Sequence, residues 1–248
     1  MSSINKSREI VEAFSTGSSK VLDYISDDQY VQHNLSFPDG KSALVGFFGD
    51  EPTGIDVTIH RVLEDSVVVI VHSTYGGAWN DGQPQVVFDV FRFEDSLVVE
   101  HWDNLQDETP PNLSGHTETD GPTTPSALPK TEENKAFTRL FVETVLVRED
   151  YSGLDQFFDG NSYINHSPGA ADGLTGLNDA LAAMAEAGLT MRYDSIHQIL
   201  GEGDLVLAMC EGSLGGQHKA FYDLFRVENG KIAEHWDVVA DISEPAEW

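Results

Sequence analysis

Two aspartate–histidine pairs are the residues of this chain best suited to chemistry. Asp89 is flanked by phenylalanine and valine in a strand-like stretch, and His101 lies in the next such stretch. Asp223 and His235 repeat this arrangement. A carboxylate among apolar side chains is costly to bury unless it has a partner or a chemical role. Beside an imidazole, such a carboxylate can transfer a proton, and a purely structural Asp–His hydrogen bond is the alternative interpretation.

The two pairs belong to two copies of one sequence. Tyr30-Val-Gln-His33-Asn34 returns as Tyr163-Ile-Asn-His166-Ser167, and Glu100-His101-Trp102-Asp103 returns as Glu234-His235-Trp236-Asp237. Residues that stayed the same in both copies serve needs common to both, which favours a functional role for the Asp–His pairs. The repeat is far longer than the roughly 20–50 residues of a solenoid, so it predicts two like domains.

The turn between the paired strands decides which residues face each other. Val227-Glu-Asn-Gly-Lys231 fits a three-residue loop with a G1 bulge, which sets Asp223 opposite His235. A two-residue loop would set Asp223 opposite Trp236 instead. We favour the three-residue loop because it places the polar pair beside apolar residues on a core-facing side. A loop of the same length in the first copy sets Asp89 opposite His101.

The other face of each hairpin carries an arginine, a glutamate and a tryptophan. We expect cross-strand ion pairs there, Arg92 with Glu100 and Arg226 with Glu234. Trp102 and Trp236 make these outer faces apolar as well, and a sheet with two apolar faces needs a cover on both. We therefore predict an intramolecular pseudo-dimer in which the two outer faces pack together, and we make no prediction of oligomeric state beyond it.

Helices precede a run of antiparallel strands in each copy, which predicts an α+β class. The predicted architecture is a curved, mostly antiparallel sheet wrapped on about three helices, with a pocket between them. The predicted domains are residues 1–106 and 131–248. Residues 107–130 are rich in Pro, Gly, Ser and Thr and should form a solvated linker.

Composition excludes several classes of partner. The 248 residues include 42 acidic and only 14 basic ones, for a formal net charge of −28. Such a surface repels phosphate backbones and anionic membranes, so we expect no nucleic-acid and no membrane partner. The single cysteine, Cys210, excludes an internal disulfide framework. With no signal-peptide stretch and no long apolar run, the protein is expected to be cytoplasmic.

The remaining candidates are aromatic residues and histidines expected near a pocket. They are Tyr30, His33, His72, Tyr75 and Trp79 in the first copy and Tyr163, His166 and Phe221 in the second. His33 and His166 end a short strand before a turn, so a hydrogen bond to the turn is the alternative. No metal-binding motif is present, and we expect no metal. A site built from His33, His72 and His101 could not be shared by both copies, because His72 aligns with Cys210.

The segments Tyr30–Asn34, His60–Val62 and Phe88–Asp103, with Asp223–Asp237 as the most specific, resemble the SnoaL-like polyketide cyclases of the nuclear transport factor 2-like superfamily. The resemblance covers nearly all of both copies and implies two tandem cone-shaped α+β barrels, each with a pocket. It also implies that Asp89 and Asp223 act as general acid/base in an aldol cyclisation of a small apolar carbonyl compound, without a cofactor. Because the superfamily holds pocketed proteins of many kinds, the alternatives are a non-catalytic small-ligand binding protein and a pocket with only structural residues.

Overall fold

The structure, a computed structural model, describes residues 1–35 and 37–242. Their contacts group into two compact units, Met1–Glu108 and Thr109–Ile242. Within the described residues, no helix is both long and apolar enough to cross a membrane.

The first unit begins with helix α1 (Ser3–Thr16), which the Ser2 hydroxyl caps by accepting from Asn5 N. Two short 3₁₀ helices follow, Ser19–Tyr24 and Lys41–Ala43. The strands are β1 (Val31–Gln32), β2 (Ile55–Asp65), β3 (Val68–Gly77), β4 (Gln85–Glu94) and β5 (Leu97–Asp107). They form one sheet in the order β1-β5-β4-β3-β2, in which only β1 pairs in parallel. The inner face of this sheet packs on α1 through a core that includes Val11, Val69 and Val71.

The second unit repeats this plan. Its helices are α2 (Thr131–Phe141), which continues as a π-helical turn over Val142–Val147, α3 (Leu154–Phe157) and α4 (Gly173–Glu186). Its strands are β6 (Ile164–Asn165), β7 (Met191–Glu202), β8 (Leu205–Leu214), β9 (Gln217–Glu228) and β10 (Lys231–Asp241). The sheet order is β6-β10-β9-β8-β7, again with only the first strand parallel to its neighbour. The predicted α+β class, with two tandem units of mostly antiparallel sheet on helices, is confirmed.

The predicted register of the hairpins is wrong. Asn229 and Gly230 both have positive φ, 52° and 69°, so the loop holds two residues in a type I′ turn. The extra residue enters the ladder as a bulge between Ile232 and Glu234. As a result Asp223 lies opposite Asp237, and His235 is its diagonal neighbour on the same face. The first copy has the same register, with Asp89 opposite Asp103.

Residues 109–130, here called the strap, belong to the second unit and are mostly exposed, as the sequence predicts, but specific polar contacts fix them to it. Glu118 is buried and accepts hydrogen bonds from Thr109 N and Oγ1. Asp204 ties down the far end, because its carboxylate accepts from Ser126 N and Oγ. Gly121 lies against the sheet at a φ of 87°, where a Cβ would meet Glu234 at 2.6 Å. Polar contacts of this kind hold the strap on the unit despite its composition.

Candidate functional site

The first unit encloses a cavity of about 260 Å³ between α1 and the inner face of its sheet. Apolar side chains such as Ile10, Phe14, Phe48 and Leu105 form most of the wall. The polar residues that reach the cavity are few, and they come from β1 and its continuation, from β4 and from β5: Gln32, Asn34, Gln85, Asp89, His101 and Asp103. An apolar pocket with a few convergent polar groups is typical of a small-molecule site.

Asp89 and His101 form a closed hydrogen-bond network at the base of the cavity. Asp89 Oδ1 lies 3.0 Å from His101 Nε2, and its Oδ2 accepts from the Tyr75 hydroxyl at 2.8 Å. His101 Nδ1 lies 3.1 Å from Gln32 Oε1. Burial alone would lower the pKa of His101, but the bond to Asp89 and the charges of Asp103 and Asp89 outweigh it and raise that pKa. Both imidazole nitrogens face acceptor oxygens, an arrangement that favours the protonated ring.

Asp103 is the site residue that the sequence reasoning missed. It lies directly opposite Asp89 on β5, is only partly buried, and its Oδ2 accepts from Asn34 Nδ2 at 2.9 Å. Burial raises the pKa of Asp103, the charge of Asp89 adds to this, and the His101 cation opposes it. The signal was present in the sequence, because an aspartate follows His-Trp in both copies.

The second unit keeps the tyrosine–aspartate–histidine part of this network, whereas the Nδ1 of its histidine faces Ser167 Oγ at 3.4 Å. His235 Nε2 lies 2.9 Å from Asp223 Oδ1, and the Tyr193 hydroxyl donates to Asp223 at 3.1 Å. Burial raises the pKa of Asp237, the counterpart of Asp103, and its Oδ1 has no hydrogen-bond partner among the described residues. Burial alone would lower the pKa of His235, but the bond to Asp223 and the charges of Asp237 and Asp223 raise it.

The tyrosine that holds the aspartate comes from different strands in the two units. Tyr75 on β3 faces Val57 on β2, whereas Tyr193 on β7 faces Gly212 on β8. The tyrosine therefore lies on β3 in the first unit but on β7, the counterpart of β2, in the second. Gly212 has no room for a side chain, because a Cβ there would lie 1.9 Å from the Arg192 carbonyl oxygen. Both arrangements nevertheless bring a phenol hydroxyl to the carboxylate. The two units keep this hydrogen bond although different strands supply the tyrosine. This favours a need for a phenol hydroxyl at the carboxylate.

The pairing of the strands shows which residues of the two copies correspond. Val71 lies opposite Asp89 and Ala208 opposite Asp223, so these two positions correspond. His72 therefore corresponds to Met209, and the alignment with Cys210 was wrong by one residue. The offset between the two copies is larger before this loop than after it, because the loop between β3 and β4 is longer than the loop between β8 and β9.

The cavity brings Tyr30, Tyr75 and Trp79 together with Asp89 and His101. His33 and His72 lie outside it. Side chains alternate along a strand, and both histidines follow residues that face inward. His33 bonds Glu100 at 2.9 Å and stacks on Trp102, while His72 Nδ1 lies 3.0 Å from Arg61 Nη1. A site built from His33, His72 and His101 is therefore not formed.

In the second unit, Tyr163 and Phe221 lie in the core, where Phe221 packs on Tyr193 with ring centroids 4.4 Å apart. His166 faces outward, bonds Glu234 at 2.9 Å and stacks on Trp236. The predicted cross-strand ion pairs are confirmed in both units, at 2.6 Å for Arg92–Glu100 and 2.7 Å for Arg226–Glu234.

A cation could approach Asp89, His101 and Asp103, whose ligand atoms lie within 4.8 Å of one another. Both nitrogens of His101 are already engaged, by Gln32 and by Asp89. A metal ligand needs a free nitrogen lone pair, so this arrangement favours a bound proton over a bound metal.

Comparison with known proteins agrees with this architecture. A family model described as a SnoaL-like domain matches residues 7–101 and again residues 138–235. No sequence among the curated proteins matches the chain.

Each of the following solved structures covers less than half of this chain. TsrD from Streptomyces laurentii is 17% identical, with 41% of this chain and 86% of that chain covered and a TM-score of 0.34. A putative polyketide cyclase from Bacillus cereus is 17% identical, with 41% and 72% covered and a TM-score of 0.35. A protein of unknown function with a cystatin-like fold from Xanthomonas campestris is 24% identical, with 44% and 91% covered and a TM-score of 0.37. Because the family model matches both copies and most of the sequence, the chain belongs to the SnoaL-like domain family, with two such domains in tandem.

Proposed function

We propose that the first unit is a cofactor-free enzyme that removes and returns a proton beside the carbonyl group of a small apolar compound. Asp103 is the proposed general acid/base, in place of Asp89. The observation that carries this proposal is the contrast between the two carboxylates. Asp89 is 2% exposed with both oxygens bonded, whereas Asp103 keeps part of its surface open to the cavity.

The raised pKa of Asp103 suits this role. A carboxylate with a raised pKa is a stronger base, and its acid form is available closer to neutral pH. In the proposed step the carboxylate takes the proton from the carbon beside the carbonyl, and the C–H electron pair forms an enolate. The same carboxyl later gives the proton back, to carbon or to the oxygen formed in an aldol addition. No electron acceptor is required.

Tyr30 is the proposed partner of the developing enolate oxygen. Its hydroxyl accepts from Gln32 Nε2 at 3.2 Å, which leaves the phenol proton available to a ligand in the cavity. Burial raises the pKa of Tyr30, and the charges of Asp103 and Asp89 add to this, so the phenol keeps its proton. The His101 cation, held by Asp89, adds favourable electrostatics as negative charge develops.

The cavity also limits the ligand. Its volume of about 260 Å³ lies just below the roughly 300–1,000 Å³ of typical ligand pockets. The wall is mostly apolar, and the polar groups gather at one side. A compact, apolar ketone fits these properties.

The test is deuterium exchange into 2-tetralone, a compact apolar ketone with acidic α-protons. The full chain in D₂O should speed the loss of the α-proton NMR signals well above the buffer rate. Binding of 2-tetralone without faster exchange would favour the alternative, a non-catalytic small-ligand binding protein. Absence of both binding and exchange would contradict the proposal.

We also propose that the two domains form an intramolecular pseudo-dimer through the outer faces of their sheets. The support is the alternation of the strands, which places apolar Phe88 and Val90 on the face opposite the Asp89 network. Expressed separately, residues 1–108 and 109–248 should each self-associate in light scattering, because exposed apolar faces favour association. Halves that stay monomeric at high concentration would contradict this.

A further inference from the structure

We infer that the second unit carries a nucleophilic serine site for acyl transfer, in which His235 activates the Ser167 hydroxyl and Asp223 holds the imidazole. Ser167 Oγ lies 3.4 Å from His235 Nδ1, and His235 Nε2 lies 2.9 Å from Asp223 Oδ1. A hydroxyl, an imidazole and a carboxylate in this order are the groups of a Ser-His-Asp triad, which is recognised by geometry and not by sequence position. The site does not depend on the function proposed for the first unit.

The two units differ in the group that faces Nδ1 of the histidine. In the first unit that group is Gln32 Oε1, 3.1 Å from His101 Nδ1, and an amide oxygen has no proton to give. The shorter Asn165 takes the place of Gln32 in the second unit, where its Oδ1 accepts from Ser167 N at 3.0 Å. The Ser167 hydroxyl faces His235 Nδ1 instead, and a hydroxyl can donate its proton to that nitrogen.

The buried carboxylate of Asp223 orients the imidazole. Asp223 is 2% exposed, and the Tyr193 hydroxyl donates to it at 3.1 Å. Phe225 stacks on the His235 ring with centroids 4.8 Å apart. A carboxylate at Nε2 favours the neutral tautomer with its proton on Nε2, which turns the Nδ1 lone pair toward Ser167. The two ring nitrogens have exchanged the roles they have in the common triad, and either can accept a proton while the other carries one.

The strap holds the segment that carries the nucleophile. Asn112 Nδ2 donates to the Asn165 carbonyl oxygen at 2.6 Å, and Leu113 N donates to the Ala170 carbonyl oxygen at 3.0 Å. These two bonds lie on either side of Ser167 along the chain. A nucleophile whose backbone is already fixed loses less entropy in reaching the transition state.

The hydroxyl is accessible to a substrate. Ser167 is partly exposed, and the Pro168 and Gly169 that follow it are exposed. A Cβ at Gly169 would meet no atom within 4 Å, so the space beside this turn is open to an acyl group. The contact of 3.4 Å between Ser167 and His235 is longer than the roughly 2.6–3.2 Å of a formed nucleophile–base pair, and such contacts are often looser before substrate binds.

The substrate class that fits is a small activated ester, such as 4-nitrophenyl acetate. Ser167 Oγ forms a bond to the carbonyl carbon while His235 Nδ1 takes the hydroxyl proton, and the bond from that carbon to the leaving oxygen breaks. The 4-nitrophenolate departs with the electron pair as a stable anion, so no acid has to protonate it. Water then adds to the acyl carbon and the bond to Oγ breaks. This releases acetic acid and restores the hydroxyl, and the proton on His235 passes to solvent.

The experiment is labelling of the full chain with diisopropyl fluorophosphate, which forms an Oγ–phosphorus bond and expels fluoride. We expect one adduct, located on Ser167 by peptide mass spectrometry, and loss of 4-nitrophenyl acetate hydrolysis after labelling. Ser167→Ala should take up no label and should hydrolyse the ester at the buffer rate. Ser162→Ala removes an exposed serine of the same unit and should match the wild type.

Two measurements test the role of the imidazole. His235→Gln should slow labelling by about 10²–10⁴-fold, the usual contribution of a general base, with thermal unfolding to check that it folds. In the wild type, burial lowers the pKa of His235 less than the bond to Asp223 and the charges of Asp237 and Asp223 raise it. The labelling rate should therefore rise with pH and level off above the ordinary histidine value of about 6.5.

Three results would overturn the inference. The first is a wild-type chain that takes up no label on Ser167. The second is ester hydrolysis at the wild-type rate in folded Ser167→Ala. The third is a labelling rate that follows hydroxide concentration without levelling off, because the imidazole would then not be the base.

Discussion

Replacing Asp103 by asparagine should slow α-proton exchange of 2-tetralone by about 10²–10⁴-fold, the usual contribution of a general base. Asparagine has nearly the same shape and can still contact Asn34, so binding of the ketone should remain. The exchange rate is measured by proton NMR in D₂O, and binding is measured separately by saturation transfer from protein to ligand.

Two further variants control this experiment. Asp95→Asn makes the same change in the exposed turn between β4 and β5 and should leave the rate unchanged. Asp237→Asn reports any contribution from the second unit.

Burial raises the pKa of Asp103, so ionisation of its carboxyl costs folded-state stability as pH rises above the unfolded pKa. Asp103→Asn should therefore be at least as stable as wild type at pH 7, and lost exchange would not reflect unfolding. An unchanged rate in Asp103→Asn would exclude Asp103 as the base.

Replacing Glu234 by alanine should destabilise the second unit by about 3–5 kcal/mol, the cost of breaking a buried ion pair. The Glu234 side chain is 3% exposed and bonds Arg226 at 2.7 Å and His166 at 2.9 Å. Burial alone would raise the pKa of Glu234, but the bonds from His166 and Arg226 outweigh it and lower that pKa. Its stabilising contribution is therefore fully present at pH 7 and is lost as pH falls through the folded-state pKa.

The first copy supplies the matched control, Glu100→Ala. Glu100 makes the corresponding bonds to Arg92 and His33, but its side chain is 20% exposed. Solvent screens this pair, so the expected cost is only about 1 kcal/mol. Urea unfolding at pH 7 measures both variants, each read from the transition of its own unit. Equal losses would mean that the strap does not desolvate Glu234.

Much of this fold could be predicted because the pattern of the sequence is local. The duplication, the order of helices and strands, and the Arg–Glu pairs follow from residue types and alternation along single hairpins. The inner-face position of His101 was predicted for the same reason. Alternation survives a register error of two residues, so Asp89 and His101 remain on one face even though they are diagonal and not opposite.

The rest depends on features that sequence spacing does not determine. One bulge in each hairpin changes which residue faces Asp89, so Asp103 lies directly opposite it and His101 lies diagonally. The exchange that makes Tyr193 the counterpart of Tyr75 is visible only when β7 and β8 are paired. His33 was misplaced because it follows a strand of only two residues, too few to show an alternating pattern.

The ionisation of Asp103 tests the proposed proton transfer most directly. Carboxyl-carbon NMR of the labelled full chain, with Asp103→Asn to assign the signal, follows this group as pH is varied. We expect Asp103 to titrate above the ordinary aspartate value of about 3.9, because burial and the nearby Asp89 charge oppose its ionisation. A titration at or below that value would contradict the assignment of Asp103 as the proton-transfer group.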